Sequence, residues 1–104
     1  MIVDERTYTL VPSKKSLFLK EYEERGLAIQ QRHLKRLVGY FETEIGTVNQ
    51  IVHIWAYDDL ADRATKRAGL AQDPEWQAFV QDTISCIEQM QNRILVPTAF
   101  SPMR

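Results

Sequence analysis

One cysteine, four glycines and four prolines are spread through a chain of 104 residues. Cys86, standing alone, excludes an intrachain disulfide, and neither Cys nor His pairs at a spacing that would hold zinc. The glycines, at 26, 39, 46 and 69, are too dispersed for a phosphate-cradling loop or a dinucleotide fingerprint, which sets aside ATP, GTP and NAD chemistry. The longest apolar run is the four residues Ile54 to Tyr57. A membrane span needs about 20, so no transmembrane helix and no membrane insertion are expected. An excess of one charge is also missing: 13 Lys plus Arg face 14 Asp plus Glu, with no basic block to track a phosphate backbone. That argues against nucleic acid as a partner. The opening MIVDERTYTL has acids where a secretory leader would have lysines, so the chain is expected to start directly in its fold and to work in a reducing cytoplasm.

What is present is an ordinary globular composition, 44% hydrophobic and 10% aromatic, at a length that fits one domain over residues 1–104. Residues 2–11 alternate and are rich in β-formers, which predicts a first strand. Pro12 punctuates, Ser13 is an N-cap candidate, and Leu17, Phe18 and Tyr22 form the stripe of a helix reaching Gly26. A second helical piece over 27–36 leads into two strands joined by a turn near Gly46 to Asn49. Asp58 or Asp59 caps the next helix. Asp73 and Pro74 start another, whose apolar stripe runs through Trp76, Phe79, Val80, Thr83, Ile84 and Ile87. A final strand is expected within 92–98, stopped by Pro97. The order is that of an α+β, ferredoxin-like βαββαβ fold with a four-stranded antiparallel sheet and both helical layers on one face.

Such a sheet leaves one face open. Val52, Ile54 and Ala56 suit the helix-packed side of the third strand, which puts Ile51, His53, Trp55 and Tyr57 on the open side. An exposed patch of that kind is one that monomers avoid. It predicts a homodimer through the open sheet face, closing a barrel around an interior cavity.

The segments ERTYTL, RHLKRLVGYFETEIG, VHIWAYDDLADR and QDPEWQAF resemble the NIPSNAP family of the dimeric α+β barrel superfamily, with the likeness running from Glu5 to about Pro102. Glu5 departs from the pattern, where a hydrophobic residue is expected. The resemblance implies a ferredoxin-like protomer that dimerises through its sheet. The superfamily includes cofactor-free monooxygenases, heme-degrading and heme-binding enzymes, and small isomerases and lyases, while bacterial NIPSNAP members mostly lack an assigned reaction. Fold analogy does not choose among these chemistries.

His53 is the candidate acid or base, with a neighbouring charge expected to hold it near neutral pKa. The alternative is a structural histidine bonded inside an interface, and interior histidines are common enough that this carries more weight. Arg6, on one strand face with Asp4 and Tyr8, is the candidate clamp for an anionic ligand, or else an ion-pair partner of Asp4, Glu42 or Glu44. Tyr40, Trp55 and Tyr57 are candidate walls of an aromatic pocket, or simply core. Trp76 and Phe79 are assigned to helix packing and Cys86 to no chemistry. No cofactor and no metal are expected. Two readings remain: a small-molecule-binding dimer that acts as a cofactor-independent monooxygenase or isomerase, and a protein-interaction module sensitive at helix-surface residues such as Arg63 and Arg67.

Overall fold

The computed structural model describes residues 1–104. Four strands, β1 (Ile2–Leu10), β2 (Arg36–Glu42), β3 (Gln50–Tyr57) and β4 (Ile87–Leu95), form one sheet in the order β2-β3-β1-β4. Every pairing is antiparallel. Helical segments α1 (Lys15–Glu21), α2 (Leu27–Leu34), α3 (Leu60–Ala71) and α4 (Pro74–Thr83) cover one face, giving a two-layer α+β, ferredoxin-like fold. No helix is long and apolar enough to cross a membrane.

The helix starts at Asp59 and Asp73 follow the sequence signals. Asp59 Oδ1 accepts from the backbone N–H of Asp62 at 2.8 Å, and Asp73 Oδ1 accepts from that of Glu75 at 2.9 Å with Pro74 at the first helical position. The first helical region differs from expectation. Ser13 has φ 77° and lies outside the helix, which begins at Lys15. Gly26 does not end it: Tyr22–Gly26 is a π-helical turn that carries the backbone on into α2. A π turn inserts one residue, so the buried face advances by about 100° and the 3.6-residue pattern breaks there without the helix stopping. The final strand also starts earlier. Helix α4 gives way to a single 3-10 turn at Ile84–Cys86, and Ile87 opens β4 rather than extending the helical stripe.

The facing of β3 is the reverse of that expected. Ile51, Trp55 and Tyr57 have no exposed surface and His53 has 1%, all of them packed under the helices. Val52 and Ile54 lie on the open face. Alternation determines which residues share a face but not which face is covered. The gap between sheet and helices needs large side chains, and burying each stabilises by roughly 1.5–3 kcal/mol. Parity across strands held. Asp4, Arg6 and Tyr8 of β1 pair with Trp55, His53 and Ile51 and share their covered side. Glu5, on the other face, meets Arg93 of β4 at 2.8 Å, a polar cross-strand pair in place of an apolar side chain.

Two packed clusters result. One joins Tyr8, Leu10, Ile51, Phe18, Tyr22, Phe79 and Cys86. The other joins Trp55, Tyr57, Ile29, Leu34 and Leu70.

Candidate functional site

His53 lies between the two clusters. Its Nδ1 accepts a hydrogen bond from Trp55 Nε1 at 2.8 Å, which puts the ring proton of the neutral imidazole on Nε2. Nε2 is buried and has no hydrogen-bond partner. Leaving a buried donor unpaired costs about 1–3 kcal/mol, so this atom marks a candidate site. Tyr40 stacks on the ring at 4.7 Å between centroids, Tyr22 stacks on Tyr40 at 4.6 Å, and Tyr8 meets His53 edge-on at 4.8 Å.

These rings wall a cavity between sheet and helices. It offers about 40 Å³ to the centre of a water-sized sphere, and is lined by Tyr8, Tyr22, Gln30, Tyr40, His53, Phe79 and Trp76, with Ile84, Ile87 and Met90 among its other walls. Ile84 and Met90 are about half exposed and form its outer end. This cavity is formed by a single chain, between its sheet and its helices, and it is here that His53, Tyr8 and Tyr40 lie. The π turn is part of its construction. It positions Tyr22 so that the phenol donates to Gln30 Oε1 at 2.5 Å across the turn, and it brings Gly26 against Phe79.

Beside the cavity is a charged cluster. Asp4, with no exposed surface, accepts from Arg6 Nη1 at 3.2 Å, Arg63 Nε at 3.0 Å and Asn92 Nδ2 at 2.9 Å. Burial pushes its carboxyl up, but the hydrogen bond from Asn92 and the two guanidinium groups outweigh that and hold it below the ordinary aspartate value. Arg6 also donates from Nε to the Tyr8 hydroxyl at 3.2 Å. Burial opposes its charge, and Tyr8 and Asp4 more than restore it. Arg6 is therefore both the ion-pair partner of Asp4 and a support for a cavity residue, not a bare anion clamp.

His53 is not held near neutrality. Burial first, then the charge of Arg6, which Asp4 opposes, with a smaller push from Arg67, lower its pKa to about 3. It is a neutral imidazole at physiological pH, a donor at Nε2 and a poor proton acceptor. Burial raises the phenols of Tyr22 and Tyr40, with neighbouring tyrosines adding to the effect, so both stay protonated.

Of the residues singled out from sequence, His53, Tyr8 and Tyr40 line the cavity. Trp55 orients His53 from beneath, and Arg6 stands behind Tyr8. Tyr57 is separate: it packs with Ile29, Leu34 and Leu70, and Lys66 lies 5.9 Å from its ring centre. Its hydroxyl and Arg67 Nη1 are buried without hydrogen-bond partners. Arg63 and Arg67, read as helix-surface residues, point inward. Trp76 and Phe79 serve as packing and as cavity wall together. Gln30 gave no sequence signal, because the π turn that aims it inward is invisible to a 3.6-residue pattern. No three side chains among His, Cys, Asp and Glu come together in a way that could hold a metal ion.

The open sheet face carries a shallow, mostly polar depression of about 430 Å³ lined by Glu5, Thr7, Gln50, Val52, Gln91, Asn92 and Arg93. Aliphatic Val3 and Ile54 share this face, beside the half-exposed Phe41.

Comparison with known proteins agrees with this architecture. A NIPSNAP family profile matches residues 3–102. Protein NipSnap homolog 3A of Homo sapiens is 38% identical in an alignment 96 residues long that covers 88% of this chain but 38% of the human protein. The chain thus spans well under half the length of that relative. A crystal structure of a NIPSNAP family protein from Agrobacterium tumefaciens superposes with a TM-score of 0.96 at 48% identity, over 99% of this chain and 98% of that one. An antibiotic biosynthesis monooxygenase from Nitrosomonas europaea, described as putative, shares the fold at a TM-score of 0.69 and 11% identity, over 93% of this chain and 98% of that one. With nearly its whole length matched by the family profile, the chain belongs to the NIPSNAP family.

Proposed function

We propose that this protein binds a small molecule in the cavity between helices and sheet, with His53 Nε2–H as its polar anchor. The observation that carries this reading is the buried, unpartnered Nε2 of a histidine that lines a mostly apolar cavity. Ligand pockets combine apolar walls with a few fixed polar groups, and that is the composition found here. Catalysis, in this reading, is cofactor-independent chemistry of the monooxygenase or isomerase kind, with His53 acting as a hydrogen-bond donor rather than a base. Tyr8 and Tyr40 contact the ligand, while Arg6 and Trp55 hold Tyr8 and His53 in place.

The functional unit of this proposal is a cytoplasmic homodimer joined through the open sheet face. The exposed aromatic stripe no longer supports it, since those residues are under the helices. Val3, Val52, Ile54 and Phe41 on or beside the uncovered face are what remain in its favour. The interaction-module alternative is weakened by the inward turn of Arg63 and Arg67.

Quenching of Trp55 and Trp76 fluorescence by a panel of small aromatic compounds tests the cavity. Binding to the native protein that is lost in His53→Ala, with the far-UV circular dichroism spectrum kept, is the expected result. Equal binding by the variant overturns it. Light scattering on a sizing column tests the dimer, and a 12 kDa mass at micromolar concentration would remove it.

A further inference from the structure

We propose that His53 Nε2–H and the Tyr8 hydroxyl together form an oxyanion site, so that the cavity takes a phenol or enol and holds it as its anion. This rests on the cavity reading above and adds the chemical class of ligand to it.

Two residues that line the cavity carry protons that no protein group accepts. Nε2–H of His53 has no partner, and its tautomer is held by the bond that Trp55 makes to Nδ1. The Tyr8 hydroxyl accepts from Arg6 Nε at 3.2 Å, and that is its hydrogen bond; its own proton is free to donate. A hydroxyl that accepts from a cation is a stronger donor, since a chain of hydrogen bonds polarises its members. The two rings stand edge-on with their centroids 4.8 Å apart, so a single ligand oxygen is taken as the shared acceptor.

The surrounding charges decide between ligand types. No carboxylate lines the cavity, so nothing there would pair with an ammonium or accept a proton from the ligand. Asp4 is the nearest acid, and it is engaged by Arg6, Arg63 and Asn92. Arg6 and Arg67 both act on His53 against a positive charge. Their field, opposed by Asp4 alone, disfavours a cation and supports a negative oxygen. Tyr22 and Tyr40 add neutral, protonated rings to the cavity wall, stacked on each other and on His53. Preorganised donors aimed at a developing oxyanion in a dry site are the usual means of stabilising it. The ligand's proton leaves to solvent, and its oxygen keeps the electron pair of the broken O–H bond.

The outer end shows how such a molecule enters. Met90 and Ile84 are half exposed, and a methionine adapts by rotating about its flexible side chain. A ligand would place its oxygen at His53 and its apolar body toward that mouth.

The test is a spectroscopic titration of 4-nitrophenol against pH in the presence of saturating full-length protein, reading nitrophenolate absorbance. The expected result is an apparent pKa of the bound phenol at least one unit below that of free nitrophenol, which means phenolate bound at least tenfold more tightly than phenol. Tyr8→Phe and His53→Gln should each recover much of that shift. Bound nitrophenol with an unshifted or raised pKa overturns the oxyanion site and leaves the cavity reading standing. A shift that survives unchanged in both variants also overturns it. Absence of binding in fluorescence quenching, by nitrophenol and by the wider aromatic panel, overturns the cavity reading itself.

Discussion

Trp55 Nε1 donates to His53 Nδ1 at 2.8 Å, two residues along the same face of β3. Side chains at i and i+2 on a strand project on one side, so this bond is available wherever the two are buried together. It turns an ambiguous imidazole into a fixed donor.

Trp55→Phe removes that bond and keeps most of the ring volume. Nδ1 is then left unpaired, and a loss of about 1–3 kcal/mol is expected in denaturant unfolding. Nitrogen NMR of the imidazole should show a mixture of tautomers in the variant and the single Nε2–H form in the native protein.

The pH dependence of stability follows from His53. The unfolded histidine takes up a proton near its ordinary 6.5, whereas the folded one stays neutral down to about 3. Between these values the unfolded state holds more protons, so stability falls as pH is lowered. From pH 7 to pH 5 the expected loss is about 2 kcal/mol at 1.36 kcal/mol per unit. His53→Gln should flatten that portion of the curve. Below about pH 4 the lowered carboxyl of Asp4 adds its own loss in the same direction. Denaturation curves at a series of pH values check both.

Asp4→Asn should be among the most damaging single changes outside the apolar core. It leaves the guanidinium groups of Arg6 and Arg63 beside a neutral amide in a buried place, and a broken buried pair costs about 3–5 kcal/mol. Adding Arg63→Met to that variant removes one stranded charge and should return part of the stability. A double-mutant cycle read by thermal unfolding measures the coupling.

Gly26→Ala tests the π turn. Its backbone is in ordinary helical conformation, so the demand for glycine comes from contact: a Cβ there would meet Phe79 Cζ and Tyr22 Cδ1, each at 2.8 Å. Two rings of the cavity wall must then move, at a cost of about 1–3 kcal/mol. The same variant should change ligand binding through Tyr22, although residue 26 is not among the cavity-lining residues.

Much of the site was legible in the sequence as membership of one face. Arg6, Tyr8 and His53 were grouped by alternation, and the antiparallel pairing of β1 with β3 places Arg6 opposite His53. What alternation lacks is a sign. Val52 and Ile54 are as good a core face as Ile51 and Trp55 until the volume between the layers is known, and the reversed assignment followed from that. Gln30 and the inward turn of Arg67 were beyond reach for a related reason, since each depends on where a helix sits on the sheet.

The sequence by itself determined the element order, the starts of α3 and α4, the antiparallel sheet and the family, because caps, turn residues and period are local properties of the chain. Only the tertiary structure decided which sheet face is covered, that a cavity lies between that face and the helices, and that His53 is neutral with one proton on offer. Those depend on desolvation and on groups brought together from far along the chain, such as Asp4 and Asn92. Local patterning carries no record of either.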